Sequence, residues 1–183
     1  AIPPGIYRAS LERVTFDGTA FLDAPLDRVD GEITMRNLKE VLFKHSAAPL
    51  VSGAGLRLRL EDSSIDGAKF AMLKNSKLRL SSSTFTGSAI SNTGSLLAEN
   101  CDFDGGTTLQ VSGLALVRKS RLKSASVDQG KLFVTGCEIS LSASEAADGR
   151  YPPKFSVGDK GELYMLENSG DYLWLSNNGS TSI

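Results

Sequence analysis

The chain has 183 residues, and its 20 basic and 21 acidic side chains give a formal net charge of −1 at pH 7. This near balance argues against a nucleic acid or an anionic membrane as a partner held by bulk electrostatics. No apolar run reaches the roughly 18 residues that a membrane-spanning helix needs, and the opening AIPPG has neither an initiator Met nor an apolar signal region. We therefore expect a soluble, mature or trimmed chain with no nucleic-acid partner and no membrane insertion.

The N-terminal part of the chain contains two strand-like segments separated by long polar corners. ASLERVTFDG at 9–18 and ITMRNL at 33–38 carry apolar residues two positions apart, which is typical of strands with one buried face. The corner between them includes Asp23, Asp27 and Asp30. His45 is the only histidine, and because no nucleophile elbow accompanies it, we interpret it as a loop residue and not as part of a catalytic triad.

The middle of the chain repeats one phrase, whose anchor is a Ser or a Cys at steps of 20, 18, 19 and 17 residues. The anchors are Ser63, Ser83, Cys101, Ser120 and Cys137. The apolar columns are Ile65, Phe85, Phe103, Leu122 and Ile139 two residues after the anchor, Leu60, Leu80, Ala98, Val117 and Val134 three before it, and Leu58, Leu78, Leu96, Ala115 and Leu132 five before it. Apolar positions two apart predict strands with one inward face, and the change of phase at the anchor predicts a bend.

The residue directly before each anchor is predicted to make that bend with a positive φ. Asp, Asn and Gly tolerate this conformation best, and Lys119 fits it poorly. These residues are Asp62, Ser82, Asn100, Lys119 and Gly136. The next corner and a third strand follow, through Gly67, Gly87 and Gly105 and then through Phe70, Ile90, Leu109 and Val127.

Three short strands per turn resemble a right-handed parallel β-helix of the pectin-lyase-like superfamily. The resemblance rests on the phrase at 58–67, 78–87 and 96–105 and, more loosely, at 115–124 and 132–141. It implies an all-β fold, a right-handed parallel β-helix (β-solenoid) of about six to seven turns with irregular N- and C-terminal caps. A leucine-rich repeat, whose period also lies near 20 residues, is the alternative, but it needs a helix or 3₁₀ turn in each repeat.

One domain is expected over 1–183. It consists of an N-terminal cap and first turn at 1–31, regular turns at 32–142, and a C-terminal loop and capping segment at 143–183. Within the last segment, a final turn is predicted around Asn168 and Ser169, followed by an edge or covering strand.

The carboxylates do not form a convincing catalytic group. Pectate lyases and polygalacturonases, the enzymes of the superfamily that the repeat resembles, use clustered Asp residues, with calcium in the lyases. The outward third-strand positions here are Lys69, Ala71, Ala89, Ser91, Thr108, Gln110, Ser126 and Asp128, whereas hydrolysis needs a pair of carboxylates. We expect no catalytic residue, metal or cofactor. A lyase or glycoside hydrolase that uses the side groove stays the alternative if the corner with Asp23, Asp27 and Asp30 supplies the acids.

Acidic residues after the bend are expected to form ion-pair ladders between successive turns. Asp102 and Asp104 would face Arg121 and Lys123, and Glu99 would lie beside Arg118; Asp66 is the equivalent of Asp104 two turns earlier. We favour these ladders over a calcium site.

The cysteines are predicted to be free. Cys101 and Cys137 lie two turns apart in the anchor column, so their Cα atoms would be about 10 Å apart, beyond the roughly 7 Å limit of a disulfide. We interpret both as buried core residues.

One outward column, four residues before each anchor, changes from basic to apolar along the chain. It contains Arg59, Arg79, Leu97, Leu116 and Phe133, with Leu114 beside its apolar end. A contiguous apolar row is either covered or used. Either the C-terminal tail packs on it through Tyr172 or Trp174, or it binds a protein partner, a second copy or a glycan. We therefore expect a non-catalytic scaffold, and its resemblance to β-helices of secreted and envelope proteins, phage tailspikes and virulence factors implies a secreted or cell-envelope location.

Overall fold

The structure is a computed structural model. It describes backbone and side chains at 59–62, 64–67, 69–72, 74–104, 106–140, 153–170 and 173–183, and backbone alone at 5–6, 9–12, 29–30, 32–36, 41–42, 51–53 and 57–58. All regular elements in these segments are β-strands, and three parallel sheets stack into a β-solenoid of about six turns. The leucine-rich-repeat alternative is therefore wrong, because each turn in this described part contains three strands.

From Glu32 to Asn177, each turn contributes one strand to each of the three sheets, and Ala9–Glu12 and Ser180–Ser182 extend sheet 1 at its two ends. Sheet 1 contains Ala9–Glu12, Glu32–Arg36, Arg57–Glu61, Lys77–Ser81, Ser95–Glu99, Leu114–Arg118, Lys131–Thr135, Glu162–Leu166 and Ser180–Ser182. Sheet 2 contains Val41–Leu42, Ser64–Asp66, Thr84–Thr86, Asp102–Asp104, Arg121–Leu122, Glu138–Ile139 and Ser169–Gly170. Sheet 3 contains Val51–Gly53, Lys69–Met72, Ala89–Asn92, Thr108–Val111, Ser124–Val127, Lys154–Val157 and Trp174–Asn177. Gly5–Ile6 and Val29–Asp30 form a separate parallel pair.

The strand register confirms the predicted columns. Leu78 pairs with Leu96 and Phe85 with Phe103, as the repeat requires. The predicted early turns are confirmed too, since Leu11 pairs with Met35 and Met35 with Leu60. One assignment was wrong. Ala125, and not Val127, continues the column of Phe70, Ile90 and Leu109, and Val127 pairs with Val111. The shift arises because the corner before strand Ser124–Val127 is shortened to the single residue Lys123.

The inward columns form one continuous core inside the solenoid. The described members of all three predicted apolar columns are at most 4% exposed. Phe85 stacks on Phe103 of the next turn with ring centroids 5.3 Å apart, and it meets Phe70 edge to face at 6.2 Å. Because every inward side chain packs against its equivalents in the neighbouring turns, burial fixes the register of each strand.

The bend between sheets 1 and 2 has the predicted geometry. Asp62, Ser82, Asn100 and Lys119 have φ between 49° and 53°, and Gly136 has φ 60°. The buried anchor after each bend satisfies the local backbone. The Ser120 hydroxyl, for example, accepts a hydrogen bond from the N–H of Cys101 at 3.0 Å and donates one to the carbonyl of Arg118 at 2.8 Å. The anchor column therefore hydrogen-bonds backbone groups that the bend removes from the strand ladders.

The solenoid continues through the C-terminal segment. Glu167 has φ 55°, and Asn168 occupies the anchor position, where its amide binds the N–H of Cys137 at 2.9 Å and the carbonyl of Val134 at 3.0 Å. The predicted last turn around Asn168 and Ser169 is thus confirmed, and Trp174–Asn177 and Ser180–Ser182 are edge strands. The predicted segment boundaries at 31 and 142 fall on residues outside the described ones.

Candidate functional site

The predicted outward column lies on the solvent face of sheet 1. Consecutive pairings join Arg59 to Arg79, Arg79 to Leu97, Leu97 to Leu116 and Leu116 to Phe133. Its apolar members are half-buried because each is flanked by the equivalent residue of the next turn, whereas Arg79 is exposed. The side chain of Arg59 lies 3.4 Å from Glu61 in an ion pair. The structure therefore brings all of the predicted column residues together.

The apolar row extends one turn further than predicted. Tyr164 pairs with Phe133, and their rings stack with centroids 4.6 Å apart and planes 7° from parallel. The repeat alignment missed Tyr164 because the anchors Cys137 and Asn168 are 31 residues apart. A signal was nevertheless present in LYMLEN, where Leu163 and Met165 have the spacing of the inward columns.

A groove of about 650 Å³ borders this row at its C-terminal end. Three of its lining side chains are largely exposed, Leu114 at 51%, Leu166 at 64% and Ile183 at 81%. Leu116, Phe133 and Tyr164 line it as well. Isolated exposed leucines are normal on protein surfaces, but a contiguous apolar groove of this kind marks an interaction site more often than chance exposure does. We refer to the outward side of sheet 1 from Lys77 to Leu166 as the sheet 1 face.

Charged groups flank the row on one side. Lys131 Nζ lies 2.8 Å from Glu162 Oε2, and the Tyr164 hydroxyl donates a hydrogen bond to the same oxygen at 2.7 Å. Both contacts lower the pKa of the Glu162 carboxyl, the hydrogen bond from Lys131 most, and the same bonds raise the pKa values of Lys131 and Tyr164. Glu162 is therefore an ionised acceptor beside the apolar row, and exposed Lys77 lies four strands away in the same outward column.

The hypothesis that Trp174 covers the row was wrong. Trp174 belongs to sheet 3, where it pairs with Lys154, and the ammonium of Lys154 lies 6.0 Å from the centre of its ring. Trp174 is 54% exposed. Tyr172, the other residue proposed to cover the row, lies outside the described residues. Among the described residues of the tail, Ser182 and Ile183 line one end of the groove.

Two of the predicted ion pairs between successive turns are present, Asp102 with Arg121 and Glu99 with Arg118, and Asp104 is contacted by Arg121. The guanidinium of Arg121 binds both carboxylate oxygens of Asp102, at 2.8 and 2.6 Å, and reaches Asp104 at 3.2 Å. Arg118 binds Glu99 at 2.7 Å. The hydrogen bond to Asp102 raises the pKa of Arg121. Within the described segments, no three His, Cys, Asp or Glu side chains converge as metal ligands would.

Both cysteines are free and buried, as predicted. Burial raises the pKa of the Cys101 thiol from 9.0 to about 11, and burial also raises the pKa of Cys137. A thiol is nucleophilic only as the thiolate, so these residues are core packing and not reactive groups.

Sheet 3 carries a smaller polar groove of about 310 Å³ on its outward face. Thr108, Gln110, Ser126 and Lys154 contribute to its lining. The amide of Gln110 donates a hydrogen bond to Asp128 Oδ2 at 2.7 Å. The predicted place of Asp128 on the outward face of the third strand was wrong, because strand Ser124–Val127 ends one residue earlier and Asp128 lies in the bend that follows. Asp23 and Asp27, which the alternative enzymatic hypothesis needs, lie outside the described residues, and only the backbone of Asp30 is described.

Comparison of the chain with protein-family models, with curated proteins and with solved structures gave no significant match. The described residues contain no apolar helix of membrane-spanning length.

Proposed function

We propose that this chain is a non-catalytic β-solenoid scaffold that binds a protein partner through the sheet 1 face. The observation that carries the proposal is the stacked row of Leu97, Leu116, Phe133 and Tyr164, with the exposed Leu114 beside it. The fold does not require apolar side chains there, because Arg79 occupies the same outward column two turns before Leu116. An interface core of aromatic and aliphatic residues with a charged rim is typical of protein–protein contacts.

The proposal is tested by photo-crosslinking. A benzophenone analogue of phenylalanine is placed at Phe133, and the matched control carries it at Ser91, an exposed outward residue of sheet 3. We expect protein adducts from position 133 but not from position 91. Each adduct is identified by mass spectrometry, and the interaction is repeated with the two purified components.

The interaction should also depend on the apolar row. Leu116→Asp places a charge at the centre of the row, and the more exposed Leu114→Asp serves as a second variant if the first unfolds. Circular dichroism and thermal melting verify the fold of each. Binding reduced at least tenfold in a folded variant supports the proposal. Equal adducts at both positions, or binding that neither variant changes, would contradict it.

The second candidate function is glycan binding on sheet 3, either by a non-catalytic surface or by a carbohydrate-active enzyme that cleaves the glycan. The favouring observation is the exposed Trp174 ring next to Lys154 and the polar groove that Gln110 and Ser126 line. Flat aromatic rings and planar amides are suited to sugar rings and hydroxyls. A glycan array with wild type and Trp174→Ala tests binding, and a polyuronate cleavage assay with and without calcium tests catalysis. Release of unsaturated ends would favour a lyase over the scaffold.

The biological setting is part of the same proposal. Right-handed β-helices of the pectin-lyase-like superfamily, which the repeat resembles, occur on secreted and envelope proteins, phage tailspikes and virulence factors. We propose a comparable setting here, as a rigid side surface in a secreted or envelope assembly. Fractionation of the cells that produce the chain tests this location independently of binding.

A further inference from the structure

We propose that the occupant of the sheet 1 face is a second copy of this chain, bound with the two solenoid axes antiparallel. The two-fold axis runs along strand Leu114–Arg118, at the centre of the face. This inference rests on the proposed function, because it names the partner of the same docking surface. A two-fold interface requires a surface that is complementary to itself, and the residues of sheet 1 meet that requirement in one specific register.

The middle column is self-complementary about Leu116. Antiparallel stacking brings Leu116 onto Leu116 of the second copy. One strand away on either side, Leu97 comes opposite Phe133. Two strands away, exposed Arg79 comes opposite Tyr164. The basic end and the aromatic end of this column thereby become two halves of one contact.

The flanking column gives the same result independently. Leu114, 51% exposed, comes opposite Leu114 of the second copy, so both apolar side chains leave water. Two strands away, Lys77 comes opposite Glu162, a lysine against a carboxylate that its own contacts keep ionised. Charge complementarity and apolar matching therefore select the same axis.

Two of the other possible arrangements bring like charges together. Parallel solenoid axes would place Arg79 against Arg79. Moving the antiparallel axis half a strand spacing toward the N-terminus would place Lys77 against Lys131. Like charges face each other at one point of the proposed arrangement, where Arg118 meets Arg118, and there each guanidinium already carries Glu99 at 2.7 Å. Juxtaposed like charges disfavour the wrong registers and so give the contact its specificity.

The size of the face sets the expected strength. Five strands at about 4.8 Å and five residues at about 3.3 Å make a flat area of roughly 400 Å² on each copy. Stable dimers bury about 800 Å² on each partner, so the expected dimer is weak and depends on concentration. We expect the monomer at low concentration and the dimer at high concentration.

Sedimentation velocity over a roughly 100-fold range of concentration, with exchanged charges, is the first test. We expect Lys77→Glu to weaken dimerisation at least tenfold, Glu162→Lys to do the same, and the double variant to recover it. Glu162→Lys also removes the contact with Lys131 inside the monomer. Recovery in the double variant excludes that structural explanation, because the contact with Lys131 stays broken there. Failure of the double variant to recover would overturn the proposed register.

A thiol crosslinker tests the axis itself. Opposed sheets pack about 10 Å apart, so Leu114→Cys should give a covalent dimer with a bismaleimide of about that span. Ser180→Cys is the matched control, since it is exposed in the same column but three strands from the axis, which places its two copies about 30 Å apart. The native Cys101 and Cys137 are buried and should contribute no background. Crosslinking of both variants, or of the control alone, would overturn the antiparallel arrangement.

The outcomes separate this inference from the proposed function. A strict monomer at every concentration overturns the second copy as the occupant. If position 133 then still forms an adduct with a different protein, the docking function stands with another partner. If position 133 forms no adduct at all, both proposals fall.

Discussion

Gly113 lies at the corner between sheets 3 and 1, where the backbones of successive turns come into direct contact. A Cβ added there would lie 2.2 Å from the carbonyl oxygen of Gly94 and 2.5 Å from that of Thr93, whereas ordinary contact begins at 3.4 Å. Gly130 repeats the arrangement one turn later, with a Cβ position 2.0 Å from the oxygen of Gly113. The missing side chain, and not a positive φ, is what this corner requires.

Gly113→Ala should therefore be strongly destabilising. The corner must open by about 1.2 Å to accept the methyl group. That movement breaks the hydrogen bonds from the Leu114 N–H to Gly94, at 2.9 Å, and from the Gly113 N–H to Asn92, at 3.0 Å. Two lost bonds at about 1 kcal/mol each, with the strain of the displaced backbone, give a loss of about 3 kcal/mol in the free energy of unfolding.

Gly136→Ala is the matched control, because this glycine has the opposite requirement. Its φ is +60°, and a Cβ there would meet no heavy atom within 4 Å. The left-handed conformation costs alanine about 1 to 2 kcal/mol, and the reduced freedom of the unfolded chain returns part of it, so we expect a net loss of about 1 kcal/mol.

Urea unfolding followed by circular dichroism measures both variants against the wild type. We expect the midpoint for Gly113→Ala to fall about three times as far as that for Gly136→Ala, with similar slopes. Equal or reversed losses would refute the reasoning, because steric contact between turns would then not be the dominant constraint at the sheet 3 to sheet 1 corner.

Three further predictions concern the bend and its anchors. Lys119→Gly should raise the free energy of unfolding by about 0.5 to 1 kcal/mol, because glycine adopts the left-handed conformation without the steric cost of a side chain, whereas Asn100→Gly should change it little. Chemical denaturation measures both variants, and a loss of stability for Lys119→Gly would contradict the prediction. Ser120→Ala should cost about 1 to 3 kcal/mol in a thermal melt, since it leaves the buried N–H of Cys101 without its acceptor at 3.0 Å, and a loss below 0.5 kcal/mol would contradict that role. The pKa of Cys101 is raised to about 11 from 9.0, so its thiol stays protonated in the folded state at pH values where it ionises in the unfolded state. The free energy of unfolding should therefore be unaffected by this group below pH 9.0 and fall by up to roughly 2 kcal/mol toward pH 11. Cys101→Ala should flatten that pH dependence, and an unchanged slope would refute the assignment.

The fold could be predicted from the sequence because successive turns of the solenoid repeat the same pattern of inward residues. Each inward residue, such as Phe85, packs against its equivalent one turn away, so the same residue types recur in the same columns. The bend could be placed for the same reason, and the positive φ at Lys119 shows that the position in the turn overrides the preference of the residue type.

The C-terminal part of the surface could not be predicted in the same way. The 31-residue step between Cys137 and Asn168 interrupts the spacing, so the column could not be extended to Tyr164. The position of Trp174 was mistaken because aromatic content alone does not say which of three faces a strand belongs to. The corner column of Gly113 and Gly130 was missed as well, since it depends on backbone contact between turns and not on side-chain pattern.

Inward and outward positions are under different physical constraints, and the proposed docking surface is argued from this difference. Inward residues are fixed by packing, whereas an outward residue can be polar without any cost to the core, as Lys69 and Ser91 on sheet 3 illustrate. Leu116 and Phe133 could therefore be polar too, and an exposed apolar row favours unspecific association. A specific partner that covers the row prevents such unspecific association. The charges at Lys77 and Glu162 supply the specificity that apolar contact alone lacks. The sheet 1 face is thus the part of the surface that the fold itself does not explain.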